Sequence, residues 1–105
     1  MLVLVEIDLT DANLSVFDDY ESRVLALLER HGARIEERLR SADERSEFHL
    51  LHFPDPAALE AFRANPARAA LQDQWLRSGA RSGLSEVVRI GQSAVASASR
   101  QGKER

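Results

Sequence analysis

Met1 to Leu9 reads MLVLVEIDL and Ser46 to Phe53 reads SEFHLLHF. In both stretches the odd and the even positions alike carry large apolar residues, whereas a strand buried on one face alternates apolar with polar. Each of these strands therefore requires cover on both sides. The helical segments of the chain suffice for one side, so the other side points to a partner subunit.

Working outward, Ser15 followed by Asp18 has the spacing of a capping box, and Phe17, Tyr20, Val24, Leu27, Leu28 and His31 recur at helical spacing. Gly32 supplies the residue best suited to the left-handed position that closes a helix. A strand from Ala33 to Leu39 is expected next, then a polar turn from Arg40 to Arg45 and the return strand ending at Phe53, a hairpin with a charged first strand. Asp55 and Pro56 form an N-cap and first-turn pair for a helix carrying Leu59 and Phe62. Asn65 and Pro66 break and restart it, and the second piece carries Leu71 and Trp75 four apart before ending near Gly79. Leu84 to Ile90 reads as a last short strand. The order is β, α, β, β, α, β.

Two βαβ-like halves with right-handed crossovers give an α+β, ferredoxin-like arrangement, a four-stranded antiparallel sheet with two helices on one face. Its central strands are the first and third, which are the two that are apolar on both faces. The open face of such a sheet is a larger apolar patch than monomers usually expose, and a homodimer through that face hides it. Burial of roughly 800 Å2 per subunit supplies on the order of ten kcal/mol before association costs. A monomer with a partly exposed sheet is the alternative. The domain is expected over residues 1–91, with 92–105, small, polar and non-periodic, as a flexible C-terminal tail.

Composition narrows the function classes. At 105 residues there is room for one core, and 44% hydrophobic with 30% charged residues is the balance of an ordinary globular protein. No apolar run approaches the roughly 20 residues that span a bilayer, and Glu6 and Asp8 interrupt the N-terminal apolar stretch, so neither a membrane partner nor a signal peptide is expected. The absence of cysteine removes thiolate chemistry and disulfides and fits a cytoplasmic, reducing location. A net charge of -3 offers no field for a polyanion, so no nucleic acid partner is expected.

At this point the residues resemble a family. His52-Phe53-Pro54-Asp55 through Leu59, Phe62, Asn65-Pro66 and Leu71 is similar to the strand-to-helix segment of the domain of unknown function 1330 family, within the dimeric α+β barrel superfamily. Val5 to Asp11, ending in Thr10-Asp11, and His31-Gly32-Ala33-Arg34 with Arg38 four residues on fit as well. The resemblance spans residues 1 to 91. It implies the dimeric barrel, whose families include cofactor-independent monooxygenases, small-molecule isomerases and stress-responsive proteins. The chain departs from the pattern at His52, where the family usually places a carboxylate, and at Ala64 and Arg68, where it commonly places aromatic residues.

Strand parity gathers a candidate site. With Val3, Val5, Ile7 and Leu9 toward the helices, Leu4 and Glu6 face the space between subunits. Ile35 and Leu39 toward the helices put Arg34, Glu36 and Arg38 on that same open side. Phe53 in the helix core puts Phe48, Leu50 and His52 there too, and Arg89 joins from the last strand. His52 and Glu6 are then the candidate catalytic pair, the imidazole moving a proton and the carboxylate orienting it. Arg34, Arg38, Glu36 and Arg89 over Leu4, Phe48 and Leu50 would hold a small apolar or anionic organic molecule between the sheets. The competing explanation is salt bridges across an edge strand and a dimer rim.

Other constellations lead elsewhere. His49 and His52, three apart on a strand, point to opposite faces and cannot share an ion, so no metal site is expected. No cofactor is expected, and for heme His52 would be the sole axial ligand with no supporting feature. Trp75 and Tyr20 sit on apolar helix stripes and read as core. The two Arg-Ser-Gly triplets, at 77–79 and 81–83, follow a helix instead of preceding one and read as a solvated connection, not a phosphate loop. A small-molecule site, with a cofactor-independent monooxygenase or isomerase as its enzymatic form, and a non-catalytic structural or interaction dimer remain as the two function classes.

Overall fold

The computed structural model describes residues 1–91; the tail expected at 92–105 lies outside them. Strand β1 (Leu2–Asp8) leads to helix α1 (Leu14–Leu25) and a 3-10 turn (Leu28–His31). Strands β2 (Arg34–Arg40) and β3 (Ser46–His52) form the hairpin, followed by α2 (Pro56–Arg63), α3 (Pro66–Ala69), α4 (Gln72–Ser78) and β4 (Arg81–Val87). The strands order β2-β3-β1-β4, antiparallel throughout, so β1 and β3 are central. This is the ferredoxin-like sheet expected from their doubly apolar character.

The helix side holds the core. Val3, Ile7, Leu51 and Phe53 from the sheet pack with Phe17, Tyr20, Val24, Leu59 and Phe62 from the helices, all nearly solvent-free. Asp55 caps α2 by accepting the amide of Ala58, and Asn65 caps α3 by accepting that of Ala67, each followed by proline at the first helical position. Gly32 and Gly79 hold the left-handed conformation at φ 67° and 77°. At Gly79 a second constraint applies, because an added Cβ would lie 2.7 Å from the carbonyl oxygen of Asp11.

Three local expectations change. Helix α1 starts at Leu14, with Asn13 as its cap accepting the amide of Val16, because Asp18 is drawn away to Arg40 instead of closing a capping box with Ser15. The last strand lies three residues earlier than Leu84–Ile90. Its pairing runs from Leu2 opposite Val87 to Asp8 opposite Arg81, so β1 offers no partner beyond Val87, while Arg81 reaches the Asp8 carboxylate at 3.1 Å. The second Arg-Ser-Gly triplet is therefore strand, not connection.

The third change bears on the site. A β-bulge between Ile35 and Glu37 inverts the parity of β2 beyond it. Arg34 lies opposite His52 on the open face, but Arg38 lies opposite His49 and Arg40 opposite Glu47, on the helix face. Leu39 takes the open side opposite Phe48 and is 57% exposed. Arg38 is thus removed from the open-face group.

Candidate functional site

The alternation of β3 places Glu47, His49, Leu51 and Phe53 toward the helices and Phe48, Leu50 and His52 on the open face. The two histidines accordingly point apart. On α1, Phe17, Tyr20 and Val24 form the buried stripe, and Glu21 lies on the same stripe beside Tyr20, buried with it. The packing of α1 over β3 thus brings Glu21, Glu47 and His49 together, with donor atoms within 4.8 Å of one another.

The polar atoms form a directed chain. Arg38 Nε donates to Glu47 Oε2 at 2.9 Å, and Arg40 Nε donates to Glu47 Oε1 at 2.7 Å. Arg40 also pairs with Asp18 at 2.5 Å, tying α1 to the hairpin. Glu47 Oε2 meets His49 Nε2 at 2.5 Å, and His49 Nδ1 lies 3.4 Å from Glu21 Oε2. Burial pushes the Glu47 carboxyl upward, but the hydrogen bonds from His49, Arg40 and Arg38 outweigh it and hold the group below the usual carboxylate range. Burial lowers His49, with the nearby guanidiniums adding to the effect and Glu47 opposing it. Burial pushes Glu21 up to about 7; the Glu47 and Asp18 charges add to this, and Arg38 and Arg68 oppose it.

Glu47 is therefore the ionised end, His49 the neutral middle and Glu21 the end poised near neutrality. With Glu47 accepting Nε2–H, the lone pair of His49 sits on Nδ1, facing Glu21. Two carboxylates and an imidazole also have the composition of a metal site. Here both oxygens of Glu47 already accept guanidinium N–H groups, and two arginine charges oppose a cation, so the trio fits an ion-paired relay better than a metal centre.

A cavity of about 380 Å3 opens between the helices and the sheet, and Glu21 and His49 form part of its wall. Val5, Ile7, Leu51, Phe53, Leu59 and Phe62 supply its apolar lining, Tyr20 and Trp75 its aromatic wall, and Arg63, Arg68 and Gln72 its remaining polar groups. Tyr20 and Trp75 rings lie 5.2 Å apart. Both aromatic residues are thus cavity lining as well as packing. Burial raises the Tyr20 hydroxyl above its ordinary range, so it stays a neutral donor.

The residues expected to form a site on the open face are only partly assembled. Glu6 lies opposite Phe48, four residues along β3 from His52, which is about 13 Å at the rise of a strand. Within one chain Glu6 cannot orient His52. Arg34 donates to Glu36 at 2.7 Å and Arg89 reaches Glu36 at 3.4 Å, which is the geometry of an edge salt-bridge cluster. Leu4, Phe48 and Leu50 form a half-buried apolar floor between these groups, and the buried Nδ1 of His52 has no hydrogen-bond partner among the described residues.

No family profile and no curated protein sequence matches the chain. Solved structures share the fold. SnoaB, a cofactor-independent oxygenase from Streptomyces nogalater, is 17% identical over 87% of this chain and 96% of its own, with a TM-score of 0.65. A proposed antibiotic biosynthesis monooxygenase from Nitrosomonas europaea is 11% identical over 85% of this chain and 100% of its own, with a TM-score of 0.62. A dimeric ferredoxin-like protein of unknown function from Jannaschia sp. CCS1 is 15% identical over 83% of this chain and 100% of its own, with a TM-score of 0.58. At these identities the likeness establishes the fold.

Proposed function

We propose that this protein binds a small, largely apolar organic molecule in the helix-side cavity and removes a proton from it without a cofactor, in the manner of a cofactor-independent oxygenase or isomerase. One observation carries the reading: His49, fixed from behind by an arginine-clamped Glu47, turns its free nitrogen toward Glu21 at the wall of a cavity. A general base works best when its pKa lies near the operating pH, and Glu21 is placed there by burial. Glu21 accepts the proton directly or passes it to Nδ1 of His49, while Glu47 stabilises the imidazolium. A carbanion formed against an apolar wall is electron-rich enough to react with dioxygen directly, as cofactor-free oxygenation requires, or to be reprotonated elsewhere, as isomerisation requires.

The protein acts as a homodimer in this reading. Leu2, Leu4, Phe48, Leu50 and Leu39 leave a continuous apolar sheet face on the described residues, and the fold is shared with a dimeric neighbour. The motif resemblance to the domain of unknown function 1330 family favours the same assembly, and the lack of cysteine suits a cytoplasmic setting. The group around His52, Glu6, Arg34, Glu36 and Arg89 then belongs to the dimer rim. A non-catalytic dimer is the second reading, favoured by that same apolar face.

The test uses aromatic ketones bearing an acidic C–H beside the carbonyl, incubated in D2O with no cofactor and followed by proton NMR. Exchange above the buffer rate is expected, slowed about a hundredfold or more by His49→Ala and by Glu21→Gln and unchanged in His52→Ala. Exchange at the buffer rate across the panel, or loss only in His52→Ala, overturns the assignment.

A further inference from the structure

Arg68, in the short α3 segment, is a cation at the cavity wall whose charge acts on Glu21 but which no carboxylate contacts among the described residues. Arg38 and Arg40 are both engaged by Glu47, whereas Arg68 enters no ion pair among the described residues. Its Nη1 makes one long contact, 3.4 Å, to the carbonyl oxygen of Arg63. Its guanidinium carbon lies over the ring of Phe62, 5.4 Å from the ring centre. The Nε atom is buried and has no hydrogen-bond partner among the described residues. Folded proteins seldom leave a buried guanidinium N–H unpaired, because its lost hydration goes unreplaced.

We infer that Arg68 is the anion-recognising residue of the cavity, its Nε–H donating to an oxyanion carried by a flat, aromatic ligand. The inference rests on the proposal that the ligand occupies the helix-side cavity. The flatness follows from the walls, where Tyr20, Trp75 and Phe62 line the same cavity with aromatic rings. The charge follows from balance, since Arg63 and Arg68 are cations at the wall, whereas burial shifts Glu21, His49 and Tyr20 toward their neutral forms. The oxyanion is a ring-borne enolate or phenolate, or a carboxylate on the ring. Either accepts the same N–H, and a guanidinium beside an enolate oxygen also favours the deprotonated state that Glu21 and His49 would create.

Calorimetric titration of the full chain at pH 6 with 2-naphthoate, an ionised dinitro-1-naphthol and uncharged 2-naphthamide tests this. The wild-type protein is expected to bind at least one of the two anions ten-fold or more tighter than the amide, and whichever anion binds tighter identifies the oxygen type. Arg68→Gln is expected to erase that preference by weakening the anions ten-fold or more beyond any change in naphthamide affinity, and Arg68→Lys to retain part of it. Equal affinity of all three ligands for the wild-type protein, or an equal loss for all three in Arg68→Gln, overturns the role of Arg68 and leaves the cavity reading intact. Failure of all three to bind overturns the cavity reading and this inference with it.

Discussion

Nε2 of His49 lies 2.5 Å from Oε2 of Glu47, and neither side chain is more than 2% exposed. Such a contact between two groups removed from water persists only if the carboxylate charge is balanced, and Arg38 and Arg40 balance it. The imidazole is thereby held in one orientation, and its second nitrogen is committed to Glu21 and the cavity.

Removing the carboxylate should expose how much of the fold depends on that balance. Glu47→Ala leaves two guanidiniums facing each other over a desolvated imidazole, and a loss of about 3–5 kcal/mol is expected by urea denaturation. Pairing it with Arg40→Ala should cost less than the sum of the two single substitutions, because each removes the other's partner.

The pH dependence of stability has opposing contributions. Glu21 is raised in the folded state, so from about pH 4.5 to about 7 the folded protein holds a proton that the unfolded chain has released, and stability falls as pH rises through that window. Glu47 and His49 are lowered, so their contributions are lost as pH falls through the carboxylate and imidazole ranges. Glu21→Gln, uncharged throughout, should remove the decline and gain on the order of 3 kcal/mol on the wild type at pH 8 relative to pH 4.5. Thermal melts of both proteins across pH 4 to 8 measure this.

A charge placed in the open sheet face tests the proposed homodimer. Leu50→Glu puts a carboxylate at the centre of the apolar patch, where association would bury it unpaired. Sedimentation equilibrium is expected to give a dimer for the wild-type chain and a monomer for this variant, with the helix-side cavity and its ligand binding retained.

Gly79→Ala tests the join between α4 and the loop after β1. The added methyl group meets the Asp11 carbonyl, and alanine resists the positive φ, so a loss of about 2 kcal/mol or more in urea is expected. Gly83→Ala on the edge strand, where an added Cβ meets nothing within 4 Å, serves as the control and should be near neutral.

The centre of the sheet was legible because Met1–Leu9 and Ser46–Phe53 carry apolar residues at both parities, and only central strands need that. Which face of β3 meets the helices was legible only through Phe53, since both parities are apolar, although the spacing of His49 and His52 already puts them on opposite faces. The bulge at Ile35–Glu37 was not, since an extra residue in a strand leaves no trace in composition, and it moved Arg38 to the other face. Arg40 looked like turn because it borders a polar run, although it pairs with Glu47. Glu21 left a readable signal, a carboxylate four residues from Phe17 on an apolar stripe. Its role was not legible there, because a charge in a core makes sense only once its partners from other elements are in place.

Nitrogen-15 NMR of the histidine rings during titration with an aromatic ligand distinguishes a helix-side site from one on the open face. His49 is expected to be the neutral tautomer protonated at Nε2 at pH 7, with its Nδ1 resonance shifting as ligand fills the cavity while His52 stays unchanged. A ligand that shifts His52 and leaves His49 untouched would contradict it and move the site to the open face of the sheet.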